Sequence, residues 1–205
     1  MLESPDPHRV AERVLELARG RPATLGRGRL VCIDGPAGSG KTTLGLRLAR
    51  LAPEARVVHM DALYDGWTGL GRVGDQLATL LGPLSVGDPG HYRRYDWHAG
   101  AYAETVTVPP TPLLVVEGVG SALRDHAALT TVTVWVSAPA DLRDRRGLER
   151  DGDAVREHWR DWTIAEALHF ARERTEERAD LVVDGTGLTP PVSGPGAVAE
   201  GPRVH

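Results

Sequence analysis

Two hydrophobic patterns alternate along the chain. Short, wholly apolar runs occur at residues 30–33 and 113–116, with a nearly apolar run at 132–136. A strand that is apolar on both sides of its pleat is covered on both faces, the signature of a parallel sheet flanked by helices. Residues 55–60 and 181–183 read as two further strands, and 104–108, which alternates, as a short one before a rigid Pro109-Pro110-Thr111-Pro112 connector. Between these runs, apolar residues recur every three or four positions. Val10, Val14, Leu15, Leu17 and Ala18 make an amphipathic helix over 8–19, stopped at Gly20. A second helix runs to about Leu51, where Pro53 blocks its continuation, and a third covers 72–81 before Pro83, Gly87, Pro89 and Gly90 break the chain. Residues 153–178 predict one long helix, with Trp159, Trp162, Ala165 and His169 along a packing face and His169 as a satisfied core-edge histidine. The stretch 91–98 carries polar and aromatic side chains without core periodicity and is expected to be a binding loop. Beyond Gly185 the chain is rich in Gly and Pro, so 1–185 is expected to form one domain and 186–205 a flexible tail.

The first strand leads directly into Gly35-Pro36-Ala37-Gly38-Ser39-Gly40-Lys41-Thr42-Thr43, and a helix follows. Gly, four residues, then Gly-Lys-Thr between strand and helix is the phosphate-binding loop. Its glycines permit the backbone angles that aim successive N–H groups at phosphate oxygens, and the helix adds the positive end of its dipole. Lys41 is placed to reach the β- and γ-phosphates of ATP, and the Thr42 hydroxyl to ligate Mg²⁺.

Other candidates stand where strands end. In open α/β sheets ligands bind beyond the carboxyl ends of the strands, which marks Asp61 and Tyr64 after the second strand. A helix cap is the alternative for Asp61, and cover for the core edge the alternative for Tyr64. Glu117 follows four apolar residues, and an acid at such a strand end in phosphate-loop proteins handles Mg²⁺. Arg143, Arg146 and Arg150 share a face of an Arg-rich segment at about 140–152; a lid over polyphosphate and a salt-bridged surface helix fit the pattern equally well. Arg93 and Arg94 suit a phosphate or carboxylate as well as they suit solvent.

Charge and composition narrow the function. The 205 residues carry a net charge of −4, so there is no basic field to recruit nucleic acid or an anionic membrane. The single cysteine, Cys32, lies within a buried-strand pattern and suits a reducing, cytoplasmic setting better than a nucleophile's role. His91 and His98 lack metal-ligand spacing for zinc. No apolar leader or spanning segment is visible, and no Asn-Lys-x-Asp segment for reading guanine.

The order of these motifs resembles the uridine kinase/phosphoribulokinase group of P-loop small-molecule kinases, from about residue 29 to residue 184. The resemblance rests on Gly35–Thr42, His59-Met60-Asp61-Ala62-Leu63-Tyr64, Val115-Val116-Glu117-Gly118, the Arg-rich 141–151 segment and Arg178-Ala179-Asp180-Leu181-Val182-Val183. It implies a three-layer α/β/α P-loop NTPase fold with a mainly parallel sheet and a small Arg-rich lid. It further implies ATP- and Mg²⁺-dependent phosphoryl transfer to a hydroxyl of a small molecule, a nucleoside in uridine kinases. By the same resemblance, Asp61 is the general base, Tyr64 lines the acceptor pocket, Glu117 sits by the metal, and Arg143, Arg145 or Arg146 is the lid arginine. The family's Asn-Phe-Asp-His-Pro stretch, which helps hold the nucleoside, has its nearest counterpart in Arg94-Tyr95-Asp96-Trp97-His98, making Arg94, Tyr95 and Asp96 substrate candidates. The compact chain leaves little room for an elaborate base-reading hairpin. A kinase of a non-nucleoside metabolite and a non-catalytic ATP-binding accessory protein are the alternatives, and a homo-oligomer is left open.

Overall fold

The computed structural model describes residues 7–152 and 156–197. Its centre is a six-stranded sheet. Strand β1 (Arg29–Asp34) lies between β5 (Leu113–Glu117) and β6 (Val132–Ser137), with β2 (Ala55–His59) outside β5 and β7 (Leu181–Asp184) outside β6; all these pairs are parallel. The apolar runs behave as their composition requires. Alternate residues of β1 enter two different cores, Val31 and Ile33 on one face, Leu30 and Cys32 on the other. Helices α1 (Pro7–Gly20) and α2 (Lys41–Leu51) cover the first face with Val14, Leu15, Leu44 and Leu48. Helix α3 (Val73–Ser85), two 3-10 segments (Met60–Ala62 and Gly66–Arg72) and Trp162 of helix α5 (Arg156–Glu173) cover the second. The result is the three-layer α/β/α arrangement with a mainly parallel sheet.

Several local expectations give way to the structure. Residues 91–98 are not a loop: β3 (Gly90–Asp96) pairs antiparallel with β4 (Ala101–Val108), so a hairpin stands beyond α3 despite the short chain. Gly100, at φ 65°, makes the tight turn between its arms. Pro83 does not end α3, which carries it inside and continues to Ser85. The helix over 153–178 is two pieces: α5 stops at Glu173, Arg174 takes a left-handed conformation (φ 50°), and the short α6 (Thr175–Arg178) follows. Residues 153–155 lie outside the described residues. The segment after Gly185 is partly built in: β8 (Val192–Ser193) pairs antiparallel with β7, and Gly194 and Gly196 donate to the Asp180 and Ala179 carbonyls. Residues 198–205 of the expected tail lie outside the described residues. No described helix is long and apolar enough to cross a membrane.

Candidate active site

The carboxyl ends of β1, β2 and β5 open into one cleft of about 760 Å³, which reaches from the phosphate loop to the hairpin. The loop has the required shape. Gly35, Gly38 and Gly40 all have positive φ (136°, 76° and 106°), and a side chain on Gly35 would collide with the Val136 carbonyl. Gly40 then caps α2, whose first N–H groups face the cleft end of the loop. The Lys41 ammonium is folded onto the loop's own carbonyls, 2.7 Å from Gly35 O and 2.8 Å from Pro36 O. Burial pushes its pKa down, while Asp34, Glu117, Glu166 and Asp61 pull it back up. Ala37, Gly38, Gly40, Lys41, Thr42 and Thr43 all line the cleft.

Two strand-end acids meet the loop from behind and from the side. Glu117 is buried at the end of β5, and Gly45 of α2, lacking a Cβ, allows it to approach. Its Oε1 accepts the Thr42 hydroxyl at 3.0 Å and pairs with His59 Nδ1 at 2.5 Å. The hydrogen bond to Glu117 pushes the His59 pKa up. The Thr42 hydroxyl and the Glu117 carboxylate thus present adjacent hard oxygens, the donor type that Mg²⁺ takes. Asp34, at the end of β1, is buried and accepts N–H bonds from Gly35, Gly120 and Ala122 at 2.8, 2.9 and 3.1 Å. One carboxylate therefore ties the phosphate loop to the loop that follows Glu117. Burial raises its pKa to about 6 against those three donors.

Asp61 lies in the 3-10 turn after β2, is exposed, and lines the same cleft as Lys41, Thr42 and Glu117. Trp97 Nε1 donates to the Asp61 carbonyl at 2.8 Å and so fixes the hairpin tip against this turn. Tyr64 lines the cleft but is almost wholly buried, its hydroxyl donating to Val119 O at 2.7 Å and its ring packed edge-on against Trp162 at 4.8 Å.

The Arg-rich segment is helix α4 (Ala140–Asp151), and its arginines separate. Arg146 lines the cleft and donates to Gly38 O and Gly185 O. Arg143 turns away from the cleft onto the outer shoulder of the loop, where it bonds Ala138 O and Ala37 O and pairs with Glu166 at 3.1 Å. Arg145 is exposed, and the side chain of Arg150 lies outside the described residues.

The hairpin candidates also take other places. Arg94 is held outside by Glu104 (2.7 Å), Asp96 accepts the N–H groups of His98 and Ala99 to form the hairpin turn, and Tyr95 packs edge-on between Trp97 and Tyr102. None of the three lines the cleft; their neighbours Trp97 and His98 do. His169 is buried with neither ring nitrogen hydrogen-bonded, so it is not the satisfied histidine expected, and burial pushes its pKa down. Cys32 is buried, its thiol pushed up to about 12, which removes it as a nucleophile at neutral pH.

Residues that sequence reasoning passed over complete the site. His59 joins Glu117 to the Asp61 turn. Glu166, on α5, accepts the Ala37 N–H at 2.8 Å. Trp67, Trp97 and Trp162 wall the cleft beside the Asp61 turn and the hairpin tip, and Trp159 lines it against Gly147 of α4. The spacing of Trp159 and Trp162 had marked them only as packing residues, which they also are.

No family model matches the chain. Among curated proteins it is similar to uridine kinases of Borrelia turicatae (27% identity over 188 aligned positions) and Borrelia duttonii (26% over 195), in each case over 78% of this chain and 87% of the relative. Among solved structures it resembles a possible uridine kinase from Bacillus stearothermophilus, with a TM-score of 0.58 and 21% identity over 87% of this chain and 98% of the other. A candidate fructose transport system kinase from Silicibacter also has a TM-score of 0.58, with 22% identity over 82% and 94%. In sequence and in fold, the chain resembles the uridine kinase-like P-loop kinases.

Proposed function

We propose that this kinase transfers the γ-phosphoryl group of ATP, with Mg²⁺, to a hydroxyl of a small molecule, a nucleoside, with Asp61 as general base. One observation supports the reading: among the described residues, Asp61 is an exposed carboxylate lining the cleft that Lys41, Thr42, Glu117 and Arg146 also line. Binding a nucleotide needs the loop; an exposed acid in the same cleft is suited to take a proton from a second molecule.

The residues divide the task as phosphoryl transfer requires, with positioning and charge neutralisation as the main contributions. The glycine loop and the α2 N-terminus hold the phosphates. Lys41, released from the Gly35 and Pro36 carbonyls, and Arg146, released from Gly38 O, neutralise charge on the transferring oxygens. Mg²⁺ held through Thr42 and Glu117 would add further positive charge beside the phosphates. Asp61 accepts a hydrogen bond from the acceptor hydroxyl, orients it, and takes its proton as the new O–P bond forms. Asp34 and His59 are positioning residues, the first for the two loops, the second for Glu117.

The single domain spanning 1–185, with α4 as lid, is part of the proposal. The nucleoside rests on the names of the sequence relatives and on the aromatic end of the cleft. The fold does not choose, because the candidate fructose kinase matches it equally well.

An ADP-release assay over nucleosides and sugars tests the reading with Asp61→Asn. The variant should lose about 10²–10⁴-fold in kcat while its affinity for ATP stays within a few-fold of the parent. Normal turnover by Asp61→Asn on the acceptor that serves the parent enzyme would remove Asp61 as base.

A further inference from the structure

Among the described residues, the far end of the cleft is walled by aromatic rings and offers few groups that could read a ring's edge. Trp67 comes from the 3-10 segment after Tyr64, Trp97 from the hairpin tip and Trp162 from α5, so three separate elements converge there, while Trp159 of α5 lines the cleft against α4. Trp67 stands edge-on to Trp97 at 5.2 Å and to Trp162 at 6.1 Å. Two of the four indole N–H groups are committed within the protein, Trp97 to Asp61 O and Trp159 to Asp144 Oδ1.

Bases are read by paired donors and acceptors, which amides and guanidinium groups supply. This chain contains no asparagine and one glutamine, Gln76, whose amide bonds both the N–H and the carbonyl of Arg93 outside the cleft. The one arginine lining the cleft, Arg146, lies at the phosphate loop. His98 lines the cleft beside the tryptophans, and the exposed His158 of α5 lies stacked on Trp67 at 5.3 Å.

From this, and resting on the kinase reading above, we infer that the acceptor's ring is held by stacking on the tryptophan wall rather than by its hydrogen-bonding edge. The enzyme is then indifferent to the base: purine and pyrimidine ribosides are acceptors alike, and so is a riboside whose ring has no polar atoms. Every base has a π face, so stacking binds without distinguishing.

The test compares kcat/KM for uridine, cytidine, adenosine, guanosine, 1-phenylribose and free ribose with the full chain and Mg-ATP. The five ringed acceptors should fall within about 10-fold of one another, and free ribose about 5- to 150-fold below them, the range that one base–aromatic stack supplies. A preference above about 100-fold for one base, or rejection of 1-phenylribose by that factor, would overturn the inference, since an edge would then be read. Trp97→Phe keeps a ring and loses the bond to Asp61 O; Trp97→Leu loses both. Leucine should narrow the gap between uridine and ribose, and phenylalanine should largely restore it; equal behaviour of the two variants counts against stacking.

Tryptophan fluorescence separates this inference from the kinase reading. Four of the five tryptophans line the cleft, and the fifth, Trp135, is buried against Phe170. Saturable quenching by the ribosides and by 1-phenylribose, with no ADP from any acceptor, would keep the stacking wall and remove the kinase. ADP from free ribose as fast as from the ringed acceptors would keep the kinase and remove the wall.

Discussion

Glu166 offers the most direct way to separate support of the phosphate loop from chemistry. It is a buried carboxylate on α5, far along the chain from the loop, with each oxygen committed: Oε2 to the Ala37 N–H at 2.8 Å, Oε1 to Arg143 at 3.1 Å. The pair is nearly dry, with 14% of the arginine side chain and 4% of the glutamate side chain exposed. Glu166→Ala would leave a guanidinium without its counter-ion and an amide N–H without its acceptor. Breaking a buried pair by deleting one partner costs about 3–5 kcal/mol. Arg143 keeps its bonds to Ala138 O and Ala37 O and some water, so the low end, about 3 kcal/mol, is expected. For a chain of this size that lowers the melting temperature by about 6–12 °C. Glu166→Gln retains an acceptor and should lose about half as much. Because Ala37 belongs to the loop, both variants should also raise KM for ATP more than they lower kcat. Arg143→Ala in the Glu166→Ala background should add less than it costs alone, since the pair is already broken. A Glu166→Ala protein melting within about 1 °C of the parent would refute the reasoning.

Two further perturbations probe the frame around the site. A methyl group on Gly147 of α4 would run into the Trp159 ring; Gly147→Ala should cost about 1–3 kcal/mol in urea unfolding and shift tryptophan emission, and an unchanged midpoint would show that the lid does not rest on α5. Asp34 has a folded pKa of about 6 against an ordinary 3.8, raised by burial, so the folded protein holds a proton that the unfolded chain has released. Its contribution is fully present below about pH 4 and is lost as pH rises through 6. The stability of the parent relative to Asp34→Asn should therefore fall by on the order of 3 kcal/mol between those limits; a difference independent of pH would mean that the three N–H donors keep Asp34 ionised throughout.

What the sequence disclosed and what it withheld divide along a physical line. The sheet was legible because a strand buried on both faces must be apolar at every position, as 30–33 and 113–116 are. The phosphate loop was legible because its backbone angles demand glycine at set spacings within one short segment. Asp61 and Glu117 were legible because a charge directly after an apolar strand has few structural excuses. The same signal was present at Asp34, which ends β1 just before the loop, but there the motif drew the eye past it. The hairpin was illegible because its strands are half exposed, and His91-Tyr92-Arg93-Arg94-Tyr95-Asp96 carries no clean period of two. In consequence Arg94, Tyr95 and Asp96 were taken for the residues that face the acceptor, whereas strand alternation and the turn send them elsewhere and deliver Trp97 and His98 to the cleft.

Helix α5 presents the harder case, and its reason is general. Glu166 is one acid among many on a charged helix, and only the fold brings it against Ala37, more than a hundred residues earlier. Trp159 and Trp162 repeat at the spacing of packing residues because they are packing residues, each buried on one side while lining the cleft on the other. A residue that serves core and cleft together leaves only the core's pattern in the sequence. The phosphate-loop half of the cleft is therefore written locally, in loop and strand ends, whereas the aromatic half is assembled from three elements with no shared motif. A local motif stays recognisable at low identity and an assembled wall does not, so similarity to uridine kinases speaks to phosphoryl transfer more than to the ring that accepts it.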